Sequence, residues 1–345
     1  MQRRLITLAF AVGLALVFVS SAAMAQYQLI SLSSNQVKQA RHDDPLLVNG
    51  WGLVHGPNSP WWVSDNGSGW STLYDGQGNL NGHLKVLIPT AGENGPGSPT
   101  GIVFNGSSDF QLGGWPTFFL FADLDGSITG WAPQTNFNTA IVAPLVNAPK
   151  GAVYTGLAIS NNASNNHLYA ADLANNTVDV YDGTFNLVMQ LSAPAVPAGF
   201  APFGIQDING MVLVTYARVS GGPDGFVVAF EEDGTPLNQG KPLIQGQPLN
   251  QPWGIALAPK NFGPLSNTLL ISNNTNVGTI NAFNFNGQFV GRLKDKTGKP
   301  IMIDQLWGIG FGDGKGKNGP ANSLYFTAGP SNNLAGTFGV IVFKP

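Results

Sequence analysis

The chain has 345 residues, a fifth of them Gly or Pro; 43% are hydrophobic, 10% are charged, none is Cys, and the formal net charge is −3. The charged fraction is less than half the roughly 25% of an average soluble domain, and the 21 Phe exclude a disordered chain, which would lack the apolar residues to build a core. Zero Cys excludes a disulfide scaffold or a Cys-ligated zinc site, and without a basic run beyond Arg4 nucleic acid is not an expected partner.

From the N-terminus, Arg3 and Arg4 precede an unbroken apolar run from Leu5 to Val19, and the small residues that follow end in Ala23-Met24-Ala25. This is the order of a secretory signal peptide, with cleavage expected after Ala25. The run is shorter than the roughly 20 residues a membrane-spanning helix needs. The reading is therefore a secreted or periplasmic protein with no membrane span after cleavage, residues 26–345 forming one domain and a monomer.

After the leader, one motif recurs six times. A Gly inside an apolar strand appears in Trp51-Gly52-Leu53, Thr100-Gly101-Ile102, Thr155-Gly156-Leu157, Phe203-Gly204-Ile205, Trp253-Gly254-Ile255 and Trp307-Gly308-Ile309, at intervals of 49, 55, 48, 50 and 54 residues. A second apolar strand follows each: 60–65, 118–123, 167–172, 211–216, 268–273 and 323–328. A third strand alternates polar and apolar residues, as in Thr177-Val178-Asp179-Val180-Tyr181, the signature of a half-buried strand. Turn signals such as Asp75-Gly76, Asp182-Gly183, Asp233-Gly234 and Asn286-Gly287 follow, and a weaker fourth strand leads to the next repeat, as at 84–88 and 289–293. Four strands per unit of about 50 residues is the blade of a β-propeller, and six units give a six-bladed, all-β ring. A Gly in each innermost strand suits close backbone approach at the crowded axis. The last repeat ends with its third strand at 339–343, and the strand at 27–32 has no repeat of its own. It is predicted to supply the missing outer strand and close the ring, which removes free sheet edges.

Several stretches carry a family resemblance: His42-Asp43-Asp44-Pro45-Leu46-Leu47-Val48-Asn49-Gly50-Trp51-Gly52-Leu53, Val63-Ser64-Asp65-Asn66-Gly67, Gly97-Ser98-Pro99-Thr100-Gly101-Ile102-Val103-Phe104-Asn105-Gly106, Tyr169-Ala170-Ala171-Asp172 and Phe326-Thr327-Ala328-Gly329-Pro330. With these the chain resembles a family of exported bacterial six-bladed propellers, some of which carry a C-terminal PEP-CTERM sorting tail. The sequence ends at Lys344-Pro345, so sorting by that route is not implied. More distantly the blades resemble NHL-repeat and SMP-30-like propellers. The resemblance implies the fold and brings no activity with it.

Topology then gathers candidate residues. In a propeller, the loops before the first strand and after the second lie on one face around the channel mouth. Asp65, Asp123, Asp172, Arg218 and Asn273 follow second strands, with Asn66 beside Asp65; Asn49, Thr100, Thr155, Gln251 and Gln305 precede first strands. Oxygen donors of this kind suit a hard cation, and Asp65, Asp123, Asp172 and Asn273 are candidate Ca²⁺ ligands. In SMP-30-like hydrolases a Glu, Asn and Asp set on this face holds the metal; here no Glu occupies the ring. The alternative is that each Asp caps its own loop. Asp123-Leu124-Asp125-Gly126 reads as half a calcium loop or as a tight turn. His42, Asp43 and Asp44 break the repeat and form a secondary candidate base or metal site, or a turn ahead of Pro45. Trp51, Trp253 and Trp307 share one repeat position and suit either ligand stacking or packing. No G-x-S-x-G or Cys nucleophile is present. Two readings follow: a binding module for a small molecule, polysaccharide or protein, and a calcium-dependent lactonase- or esterase-like hydrolase at the channel mouth.

Overall fold

The structure is a computed structural model and describes residues 26–82, 84–160 and 166–344; the leader read at 1–25 and His83 lie outside the described residues. It is a six-bladed β-propeller. Blade 1 is built from Gly50–Val54, Trp61–Asp65, Trp70–Tyr74 and Val86–Leu87, in that order outward, each strand antiparallel to the last. The first strands of blades 2 to 6 are Pro99–Phe104, Tyr154–Ile159, Phe200–Ile208, Pro252–Leu257 and Leu306–Phe311. Third strands turn into fourth strands on the carboxylate and amide turns read from sequence: Asp75 accepts the amides of Gln77 and Asn79, Asp182 those of Thr184 and Asn186, and Asn284 those of Asn286 and Gln288. These short side chains satisfy turn amides that the sheet leaves free.

Blade 6 closes the ring as the sequence predicts. Its third strand, Thr337–Lys344, pairs antiparallel with Gln26–Ser34 from the other end of the chain. Tyr27 anchors this closure: its ring packs on Phe262 and Phe343, and its hydroxyl donates to the Phe262 carbonyl at 2.7 Å. Burial pushes the Tyr27 phenol up to about 12. The chain then passes His42–Asp43, which pairs with Ser33 and Ser34, and enters blade 1.

The core is distributed between blades. Each of the six interfaces holds its own buried cluster, such as Trp62, Phe119 and Trp131 between blades 1 and 2, or Trp61, Tyr74, Tyr325 and Phe338 between blades 6 and 1. Burying one such side chain contributes about 1.5–3 kcal/mol. A blade alone has no partner for either face, so this stability exists only in the ring.

The six repeat glycines form a collar. A Cβ built on Gly52 would lie 2.6 Å from the Thr100 carbonyl oxygen; on Gly101, 2.1 Å from the Leu157 amide; on Gly156, 3.2 Å from the Phe203 oxygen. On Gly204 it would lie 2.0 Å from the Trp253 oxygen, on Gly254 2.6 Å from the Trp307 oxygen, and on Gly308 2.7 Å from the Trp51 oxygen. Each glycine meets the backbone of the next blade, and the sixth returns to the first. None of the six has a positive φ, so room rather than backbone conformation demands glycine here.

Candidate functional site

The loop face holds the residues singled out from sequence, and it uses most of them as stitches. Asn49 Oδ1 accepts the Trp307 indole N–H at 3.0 Å, Asn49 Nδ2 donates to Asn66 Oδ1, and Asn66 Nδ2 donates to the Ser98 and Pro99 carbonyls, joining blades 6, 1 and 2. Thr100 donates to the Tyr154 carbonyl and Thr155 to that of Pro202, joining blades 2, 3 and 4. Gln251 donates to the Arg218 carbonyl, Gln305 to Asn276, and Asn273 to the Pro248 carbonyl. Arg218 is half-exposed, 3.6 Å from Asp224 and over the Phe200 ring.

The three aspartates lie at the ends of second strands as expected, but Asp123 and Asp172 turn back into loops of their own blades. Asp123 accepts the amides of Ser98 and Asp125, and Asp172 those of Val153, Ala174 and Asn175. Burial nevertheless pushes the Asp123 carboxyl up to about 6. Asp123-Leu124-Asp125-Gly126 folds as a tight turn, with Asp125 accepting from Ser127 and Ala91. Among the described residues, no group of three or more His, Asp or Glu is arranged to hold a metal ion. The carboxylates therefore do not converge as the repeat pattern suggests: loop amides engage Asp123 and Asp172, and the Thr72 hydroxyl engages Asp65.

Asp65 and Asp44 form a buried relay. Thr72 Oγ1 lies 2.7 Å from Asp65 Oδ2 and 2.9 Å from the Tyr74 hydroxyl, which donates to Asp44 Oδ2 at 2.7 Å. Asp44 Oδ1 accepts the Leu46 amide, while Asp65 Oδ1 has no partner. Three contacts need three hydrogens and the two hydroxyls supply two, so a carboxyl must carry the third. Complete burial, reinforced by the Asp44 charge, pushes the Asp65 carboxyl well above the usual range, which assigns the proton to Asp65. Of the secondary candidates, Asp44 thus serves packing, Asp43 accepts the Lys38 amide, and His42 sits in the two-residue strand beside Ser33.

What occupies the axis at this level is aromatic. Trp51, Phe203, Trp253 and Trp307 cluster with Ala217, and Leu124 and Leu173, each one residue beyond its Asp, pack against them. Trp51 and Trp307 stack at 3.7 Å, and Trp253 meets both edge-on. The Trp253 indole donates across the ring to the Thr155 carbonyl. The shared tryptophans therefore plug the channel.

Beyond the plug, a throat of about 30 Å³ runs through the glycine collar, lined by residues of all six blades with Trp253 among them. It shares Leu53, Gln206, Ile255 and Ile309 with a pocket of about 220 Å³ on the face opposite the aspartates. That pocket adds Val54, Ile208, Leu257, Phe311, His55 and Trp61. His55 stands edge-on to Trp61, with Nε2 3.0 Å from the Phe311 carbonyl oxygen and Nδ1 3.3 Å from that of Gly56. The candidate residues read from sequence lie on the other face. A signal was present: two residues after each collar glycine stand Val54, Val103, Ala158, Gln206, Ala256 and Gly310, and Gln206 is the one polar residue in that series.

The comparisons agree with this architecture. No family model matches the chain. It is 29% identical over 349 residues to an uncharacterized protein of Acanthamoeba polyphaga mimivirus, covering 92% of this chain and 81% of that protein. A second protein of the same virus is 29% identical over 311 residues, covering 83% and 79%. Among solved structures the chain is similar to virginiamycin B lyase from Staphylococcus aureus, with TM-score 0.54, 12% identity, and coverage of 92% of this chain and 99% of that one. It is also similar to a chain of the COPII outer coat vertex, with TM-score 0.52, 13% identity, and coverage of 86% and 70%. A lyase and a coat on membranes share no chemistry, so this likeness shows the fold alone.

Proposed function

We propose that the chain is an exported ligand-binding propeller whose site is the pocket at the channel mouth on the face opposite the aspartates. One observation carries this reading: a concave pocket lined by blades 1, 4, 5 and 6 shares residues with the throat in the collar, and the aromatic plug closes the far side. Concave, largely apolar sites with few polar groups are the usual form of ligand pockets. Export, and kinship with exported bacterial propellers, rest on the leader and on the motifs quoted above. The calcium-dependent hydrolase remains the competing proposal; its support is residue type, since each of its carboxylates is engaged by loop amides or, for Asp65, by Thr72.

Leu257→Trp tests the pocket. The larger ring fills the mouth from a half-buried position. Small aromatic fragments screened by ligand-observed NMR are expected to bind the wild-type chain and to lose binding in Leu257→Trp. Equal binding to both proteins, with the variant folded, would place the fragments elsewhere and overturn the proposal.

A further inference from the structure

We infer, resting on the pocket just described, that its ligand is uncharged, with a single ring or short alkyl body and one hydrogen-bonding end that meets Gln206. Three observations carry this. The first is size. About 220 Å³ is below the roughly 300–1,000 Å³ of drug-sized sites, so the pocket admits one ring or a short branched chain, free or as the terminal group of a larger molecule.

The second is charge. No Asp, Glu, Lys or Arg lines the pocket. The lining side chains other than His55 and Gln206 are aliphatic or aromatic, backbone polar groups line it beside them, and an ion entering would give up water without an acidic or basic side chain to replace it. A carboxylate or ammonium ligand is therefore disfavoured at this depth.

The third is the polar inventory. His55 turns both ring nitrogens toward carbonyl oxygens, and as a neutral ring it donates through one of them; the Trp61 indole N–H donates to the Asn318 carbonyl at 2.8 Å. Gln206 is different. It is exposed at the pocket mouth, its side chain makes one long contact, Nε2 to the Asp207 carbonyl at 3.4 Å, and it lines both the pocket and the throat beneath. An amide offers a donor and an acceptor, so an alcohol or an amide ligand finds a partner in either sense. The same position in the other five blades carries Val, Ala or Gly. The polar contact is therefore made on one side of the ring and orients the ligand.

The test uses the whole domain and four probes of one shape: toluene, benzyl alcohol, benzoate and benzylammonium. Binding is read by protein chemical shifts, with Gln206→Leu as the variant. Benzyl alcohol is expected to bind the wild-type chain at least ten-fold more tightly than either ion. Gln206→Leu is expected to weaken benzyl alcohol about three- to ten-fold, the worth of one hydrogen bond, and to leave toluene unchanged or improved. Benzoate or benzylammonium binding as tightly as benzyl alcohol would overturn the neutral class. An unchanged preference of Gln206→Leu for benzyl alcohol over toluene would overturn the role of Gln206. If neither neutral probe binds, the pocket reading itself fails, and that outcome is distinct from the other two.

Discussion

Replacing the collar glycines one at a time with alanine should produce a graded loss of stability that follows the space at each position. At Gly204 the new Cβ falls 2.0 Å from the Trp253 carbonyl oxygen and 2.7 Å from its carbon; at Gly101 it falls 2.1 Å from the Leu157 amide nitrogen. Both obstacles are backbone of the next blade and cannot rotate away, so the blades must part by more than an ångström at the axis. Overpacking costs about 1–3 kcal/mol and occasionally more, and a rigid obstacle belongs at the upper end, about 3 kcal/mol. At about 2.1 cal/mol/K of unfolding entropy per residue, a domain of about 320 residues loses about 1.5 °C per kcal/mol, so Gly204→Ala and Gly101→Ala should each melt about 4–5 °C lower. Gly156 is the internal control. Its nearest obstacles lie at 3.2 and 3.3 Å, which neighbours accommodate by a few tenths of an ångström. Alanine also narrows the unfolded ensemble by about 0.4–1 kcal/mol, so Gly156→Ala should fall within about 1 kcal/mol of wild type. Gly52→Ala and Gly254→Ala, at 2.6 Å, should lie between. Scanning calorimetry of the series decides the matter. If Gly156→Ala and Gly204→Ala lose the same stability, the collar is not a steric closure and the reasoning is wrong.

Asp65→Asn should be as stable as wild type or more so at pH 7–8. The Asn amide supplies the third hydrogen of the relay permanently, whereas the wild-type folded state must hold a proton there against rising pH. Because the folded-state pKa is raised, the native state binds the proton more tightly, and stability falls as pH rises from about 4; Asp65→Asn should flatten that slope in melts taken across pH, and a variant destabilised at every pH would refute the proton assignment. Asp123, raised to about 6, should add to the loss between about pH 4 and 6, a contribution that Asp123→Asn removes. Tyr27→Phe deletes the hydroxyl that reaches the Phe262 carbonyl and should cost about 1–2 kcal/mol in urea melts; no change would mean that the closing strand is held by its ladder and ring packing alone. Millimolar calcium should leave the melting temperature unmoved, since the chain's own donors already occupy the candidate carboxylates; a rise of several degrees would favour the hydrolase proposal.

Much of this molecule is legible in one dimension. The interval between Gly52, Gly101, Gly156, Gly204, Gly254 and Gly308 fixes the number of blades, because a repeat that cannot bury its own faces must stack on a copy of itself. The orphan strand at 27–32 and the three-stranded final repeat fix the closure, because an unpaired edge is costly to leave open. Site geometry is another matter. Sequence places Asp65, Asp123 and Asp172 at equivalent positions, yet where a side chain turns depends on the nearest unmet donor, and for Asp123 and Asp172 that donor is a loop amide. The alignment of Trp51, Trp253 and Trp307 is visible in sequence, but their meeting across the axis is a contact among blades 1, 5 and 6 that local pattern does not encode. The pocket is of the same kind. Leu53, Ile255 and Ile309 read as ordinary strand residues, and only closing the ring turns their side chains into a wall around Gln206.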